Sequence, residues 1–224
     1  MTGQIKHPSE PEAYGAKASD AELIVYGIHG RGQSPEFIRE LADRIGQLGR
    51  FRWVMPAAPG NSWYPESFLA PTTKNQPSLK DALQTIDTHL SELLDHNAPI
   101  VTLGFSQGAC LLAEFLLRTR KPVDGIVLHT GGYLGPHSQT FSSEPDFLGT
   151  PAVVLTARED AWVPLYRSEE TAEALRGAGA DVTVEIYEDK EHHINDAAIE
   201  SIRSLLERVA ETNGKTSLRK RAEQ

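Results

Sequence analysis

Apolar residues along this chain gather in two kinds of run. Leu23–His29, Phe51–Met55, Ile100–Phe105, Gly125–His129, Ala152–Thr156 and Val182–Tyr187 are short and rich in β-branched or aromatic side chains, the pattern of buried strands. Between them lie stretches with helical spacing: Pro35–Leu48 (Phe37, Ile38, Leu41, Ile45), Ser78–His96, Ala109–Arg118, Tyr166–Ala178 and Ala197–Glu211. Gly49 is expected to end the first helix, and Ser78 to cap the second with Asp81 in its first turn. Strands alternating with helices predict crossover connections, hence an α/β fold with a mainly parallel sheet covered on both faces. The unbroken apolar runs Ile100–Leu103 and Ile126–Leu128 suit central parallel strands. Residues 1–20 are polar, with Pro8 and Pro11, and read as a loose lead-in. Residues 21–212 read as one domain. From Asn213 the apolar pattern stops, and Lys215, Arg219, Lys220 and Arg221 mark residues 213–224 as a disordered basic tail.

Composition narrows the function. A chain of 224 residues fits one α/β domain with a substantial core. Its net charge of -9 argues against a nucleic-acid-binding surface. Cys110 is the single cysteine, so no intramolecular disulfide forms, and a cytoplasmic location is expected. The N-terminus lacks the apolar core of a signal peptide, and no stretch is apolar enough for a membrane span. The pattern leaves monomer and homodimer both open.

The chemistry concentrates where the third strand pattern meets a helix pattern, at Gly104-Phe105-Ser106-Gln107-Gly108. G-x-S-x-G between strand and helix is a nucleophile elbow: a strained turn that lifts a serine hydroxyl above the sheet, with glycines where side chains would collide. A serine needs a base, and the base needs an orienting acid. On this scaffold the order is serine, acid, histidine, on loops at the carboxyl ends of strands. The acid is expected at Asp160, just past the strand Ala152–Thr156 and before Val163-Pro164, with adjacent Glu159 facing elsewhere. The base is expected at His192 or His193, past the last strand. No cysteine, histidine and carboxylate set has metal-ligand spacing, so neither metal nor cofactor is expected. The oxyanion donors are expected to be the backbone N–H groups of Gln107 and of the loop His29-Gly30-Arg31-Gly32, at Arg31. His29 is expected to bond within that loop.

These residues together make the chain resemble the phospholipase/carboxylesterase family of α/β-hydrolases over roughly residues 21–210. The resemblance rests on His29-Gly30-x-Gly32, Gly104-Phe105-Ser106-Gln107-Gly108, Asp160-x-x-Val163-Pro164 and His192-x-Ile194. It implies an α/β-hydrolase fold without a large cap domain, and it selects His192 as the base. Trp63 matches the aromatic that borders the family's pocket. The chain departs from the family pattern at Thr156-Ala157, Glu191, Arg31 and Gln33, none of which removes a catalytic group.

The implied activity is hydrolysis of small carboxylic esters. Thioesters, lactones or dienelactones are alternative substrates for the same triad, and a non-catalytic ligand-binding module is the alternative from another class. Trp63, Tyr64, Phe68, Leu69, Trp162 and Tyr133 are candidate pocket walls. Arg31 and Arg158 lie on the same loops and are candidate partners for a substrate carboxylate.

Overall fold

A computed structural model describes residues 10–222, with side chains described through Thr212. Seven strands form one sheet in the order β1-β3-β2-β4-β5-β6-β7. They are β1 (Glu12–Gly15), β2 (Leu23–Ile28), β3 (Phe51–Met55), β4 (Ile100–Phe105), β5 (Gly125–His129), β6 (Pro151–Ala157) and β7 (Asp181–Tyr187). Only the β1–β3 pair is antiparallel. The helices are α1 (Pro35–Ile45), α2 (Ser78–Leu93), α3 (Gln107–Thr119), α4 (Leu165–Gly177) and α5 (Asp196–Ala222).

Strand alternation sorts the core into two layers. Ile24, Tyr26 and Ile28 of β2, with Ile126 and Leu128 of β5, pack against α2, α3 and α4. Leu23 and Val25, with Val101, Leu103 and Val127, pack against α1 and α5 on the other face. The sheet is therefore covered on both sides, which is why its central strands carry no polar alternation. At the edges, β1 is short, and β7 turns Asp181 and Thr183 outward, which limits unwanted strand pairing.

Several element ends differ from the sequence expectation. Helix α1 stops at Ile45, because Gly46 takes φ 81° and closes its N–H on the Ala42 carbonyl at 2.9 Å, three residues before Gly49. Ser78 is the first helical residue rather than the cap; Pro77 holds the cap position, and the Gln76 side chain accepts from the Lys80 N–H at 3.3 Å. Within the expected lead-in, Glu12–Gly15 pairs with β3, and the Tyr14 hydroxyl donates to Asp43 at 2.7 Å. A four-residue polar strand at an edge has no apolar alternation for a sequence reading to detect. Residues 1–9 of that lead-in lie outside the described residues. The backbone of α5 is drawn through Ala222; lysine, arginine, leucine and alanine in 215–222 favour helix even without an apolar stripe.

Candidate active site

The elbow is built by close approach. Ser106 ends β4 in a strained conformation, φ 55° and ψ −118°, and α3 starts at the next residue. A Cβ on Gly104 would lie 2.6 Å from Ala109 Cα, and one on Gly108 would lie 2.3 Å from the Ile28 carbonyl oxygen. The Ser106 N–H donates to the His129 carbonyl at 2.8 Å, and its own carbonyl accepts from Cys110 N–H at 3.0 Å. The strain is thus held from the neighbouring strand and from the first helical turn.

His192 and Asp160 come to Ser106 from the loops after β7 and β6. His192 Nε2 lies 2.7 Å from Ser106 Oγ, and His192 Nδ1 lies 2.6 Å from Asp160 Oδ2. The other carboxylate oxygen, Oδ1, accepts from the N–H groups of Trp162 (2.8 Å) and Val163 (2.9 Å). Burial would by itself raise the Asp160 carboxyl, but the bonds from His192, Trp162 and Val163 outweigh it and hold the group below its ordinary value. An ionised Asp160 fixes the proton on Nδ1 and leaves Nε2 to accept from the serine hydroxyl. The neighbours of each residue look elsewhere. Glu159 pairs with Lys190 at 2.7 Å, and His193 with Glu191 at 3.3 Å on the surface.

The loop after β2 faces the elbow. Gly30 N–H donates to Gln33 Oε1 (2.8 Å), and Gly32 N–H to the Asn61 carbonyl (2.7 Å). Among the described residues, the N–H groups of Arg31 and Gln107 have no acceptor. His29 is fully buried: Nδ1 bonds the Gly30 carbonyl (2.8 Å) and Nε2 accepts from Ala58 N–H (3.2 Å), so it serves the loop. Burial lowers its pKa, although the Gly30 bond opposes this.

A cavity of about 510 Å³ opens beside Ser106 and His192, walled by Arg31, Tyr64, Phe68 and Trp162. Pro65, Glu66, Ser67, Gln107, Cys110 and Val163, none of them expected as walls, complete it. Trp63, expected as a wall, is not one. Its indole N–H donates to the His29 carbonyl at 2.9 Å, which holds the ring against the loop after β2, and the next residue, Tyr64, lines the cavity instead. Leu69 and Tyr133 also stand outside the lining; the Tyr133 hydroxyl donates to Glu170 at 2.8 Å.

The arginines are committed as well. Arg31 donates to the carbonyls of Pro65 (2.6 Å) and Glu66 (2.7 Å), and Arg158 pairs with Glu188 at 2.9 Å, away from the cavity. Gln107 contributes more than an amide. Its Oε1 accepts from Trp63 N–H (3.0 Å) and its Nε2 donates to the Tyr64 carbonyl (2.8 Å), so its side chain ties the cavity wall to the elbow. Among the described residues no helix is long and apolar enough to cross a membrane.

Comparison with known proteins points the same way. The structure is similar to a phospholipase/carboxylesterase from Dyadobacter fermentans, at 30% identity over 88% of this chain and 96% of that one, with a TM-score of 0.81. Esterase PE8 shares the fold at 22% identity over 89% and 98% of the two chains (TM-score 0.70), as does SOBER1 of Arabidopsis thaliana at 20% over 84% and 98% (TM-score 0.67). No curated protein matches this chain. The phospholipase/carboxylesterase family pattern matches residues 13–210, from the first edge strand to the last core-facing turns of α5, so the chain belongs to the phospholipase/carboxylesterase family, on an α/β-hydrolase fold.

Proposed function

We propose that this protein is a serine hydrolase of small carboxylic esters, with Ser106 as nucleophile, His192 as base and Asp160 as its orienting acid. The observation that carries the reading is the unbroken pair of hydrogen bonds, 2.7 Å and 2.6 Å, from Ser106 through His192 to Asp160 at the mouth of a cavity. His192 Nε2 takes the hydroxyl proton as Ser106 Oγ attacks the ester carbonyl. The Arg31 and Gln107 N–H groups stabilise the oxyanion that forms, since they have no acceptor in the resting enzyme and flank the serine. His192 then protonates the leaving alcohol, and an acyl-Ser106 ester remains. Water attacks that ester with His192 again as base, releasing the acid and restoring the hydroxyl.

The test is turnover of p-nitrophenyl acetate and butyrate. Ser106→Ala is expected to lower kcat by about 10⁴- to 10⁶-fold. Equal rates for wild type and Ser106→Ala would remove Ser106 from the chemistry. Thioester and lactone panels run beside these esters rank the leaving groups.

A further inference from the structure

Ser106 ends β4, and the sheet order puts the two sides of its cavity on different strands. The loops that carry Asp160 and His192 follow β6 and β7, whereas the 29–33 and 62–68 loops follow β2 and β3, on the other side of β4. The reaction itself then orients an ester on Ser106. Its carbonyl oxygen meets the Arg31 and Gln107 N–H groups, and its leaving oxygen meets His192 Nε2, which protonates it. The acyl chain is the remaining substituent of the tetrahedral carbon. It faces away from His192, toward the wall of Tyr64, Pro65, Glu66 and Phe68.

That wall is fastened at three places. Gln107 holds residues 63 and 64 to the elbow. Asn75, fully buried, accepts from the Glu66 N–H at 2.8 Å and donates to the Ser67 carbonyl at 3.2 Å. The third tie comes from the oxyanion loop. Arg31 donates to the Pro65 carbonyl at 2.6 Å and to the Glu66 carbonyl at 2.7 Å, with its Cζ 5.8 Å from the centre of the Tyr64 ring. A planar guanidinium can hold both carbonyls at once, whereas an ammonium is a single point charge. Arg31, Pro65 and Glu66 all line the cavity and all are exposed, so the tie lies at the cavity's rim. Water competes for such bonds, so they add little to stability. Their effect is on shape. A side chain bonded across the gap between two lining loops is a bar, and an acyl chain passes it only by breaking both bonds.

We infer that the Arg31 side chain is a specificity-determining bar across the acyl side of the cavity, so that esters of short acyl chains are the preferred substrate class. This rests on the reading of Ser106 as an ester nucleophile. The alcohol side, toward Trp162 and His192, lies across Ser106 from the bar.

The experiment compares p-nitrophenyl octanoate with the butyrate, below micelle-forming concentrations, and hexyl butyrate with ethyl butyrate. The first ratio of kcat/KM reads the acyl side and the second the alcohol side, and a loss common to all esters cancels from both. In the wild type the octanoate is expected at least about tenfold below the butyrate. Arg31→Leu is expected to raise the octanoate-to-butyrate ratio about tenfold and to leave the hexyl-to-ethyl ratio within about twofold. Arg31→Lys adds no apolar surface and loses the fork, and it is expected to raise the acyl ratio in the same direction by less. Fluorophosphonate labelling of Ser106 in each variant confirms that the site is formed. A wild type that takes the octanoate as well as the butyrate, an acyl ratio unmoved in Arg31→Lys, or an equal rise in both ratios overturns the inference while leaving the esterase reading standing. Wild type that neither turns over any ester nor takes the label overturns both.

Discussion

His129 closes β5 with its ring packed near Phe105 and Tyr187, centroids 5.7 and 6.4 Å away. Burial, and then the neighbouring His192 charge, push its pKa down to about 3, against an ordinary value of 6.5. Nδ1 meets Thr130 Oγ1 at 3.1 Å, while Nε2 has no partner among the described residues. Between pH 6.5 and about 3 the unfolded chain holds a proton on this ring that the native state lacks. Native stability therefore falls as the pH drops through that window. His129→Gln is expected to flatten the fall in Tm on acidification; an unchanged slope would contradict this. The residue scale is also where the sequence was most legible. Ser106 and Asp160 stand at fixed offsets from strand ends, which are readable in sequence, whereas the last strand end leaves His192 and His193 both open and only the family resemblance selects His192. Trp63 and Tyr64 were not separable in sequence, because which of two adjacent aromatics faces a cavity depends on the phase of an irregular loop.

At the scale of elements, the elbow and the 62–68 loop form one unit. Gly108 of α3 lies against the β2 backbone, which cannot give way. Gly108→Ala is expected to cost about 3 kcal/mol or more in thermal or denaturant unfolding. Gln107→Ala keeps the backbone N–H but strands the buried N–H of Trp63 and frees the Tyr64 carbonyl. It is expected to lose about 1–3 kcal/mol of stability and to raise KM more than it lowers kcat, measured on the same esters. A kcat loss as deep as that of Ser106→Ala would contradict this division of roles. Side-chain ties of this kind are invisible in a pattern of apolar positions, since they join residues far apart in sequence. The ends of α1 and α2 were missed for a related reason. Several residues near each end can terminate or cap a helix, and packing decides among them.

For the whole molecule, the parallel sheet brings the elbow, the Asp160 loop and the His192 loop to the carboxyl ends of β4, β6 and β7. Alternating strand and helix patterns made that architecture readable before any contact was known. The edge strand β1 escaped, because its partner β3 supplies the apolar surface. The net charge of -9 disfavours anionic substrates, and Arg158 is already paired with Glu188 away from the cavity. Mono-p-nitrophenyl succinate is expected to be cut more slowly than its neutral methyl ester. The gap should narrow as salt rises from about 0.01 to 1 M and the Debye length shrinks from about 30 to 3 Å. A preference for the acid would show that a cation is free to receive it. The central claim, that this fold arms one serine, is tested most directly by mapping the adduct left by a fluorophosphonate probe. A single adduct on Ser106, absent from Ser106→Ala and formed far more slowly in Asp160→Asn, is the predicted result. No adduct in the wild type, or one on a different residue, would contradict it.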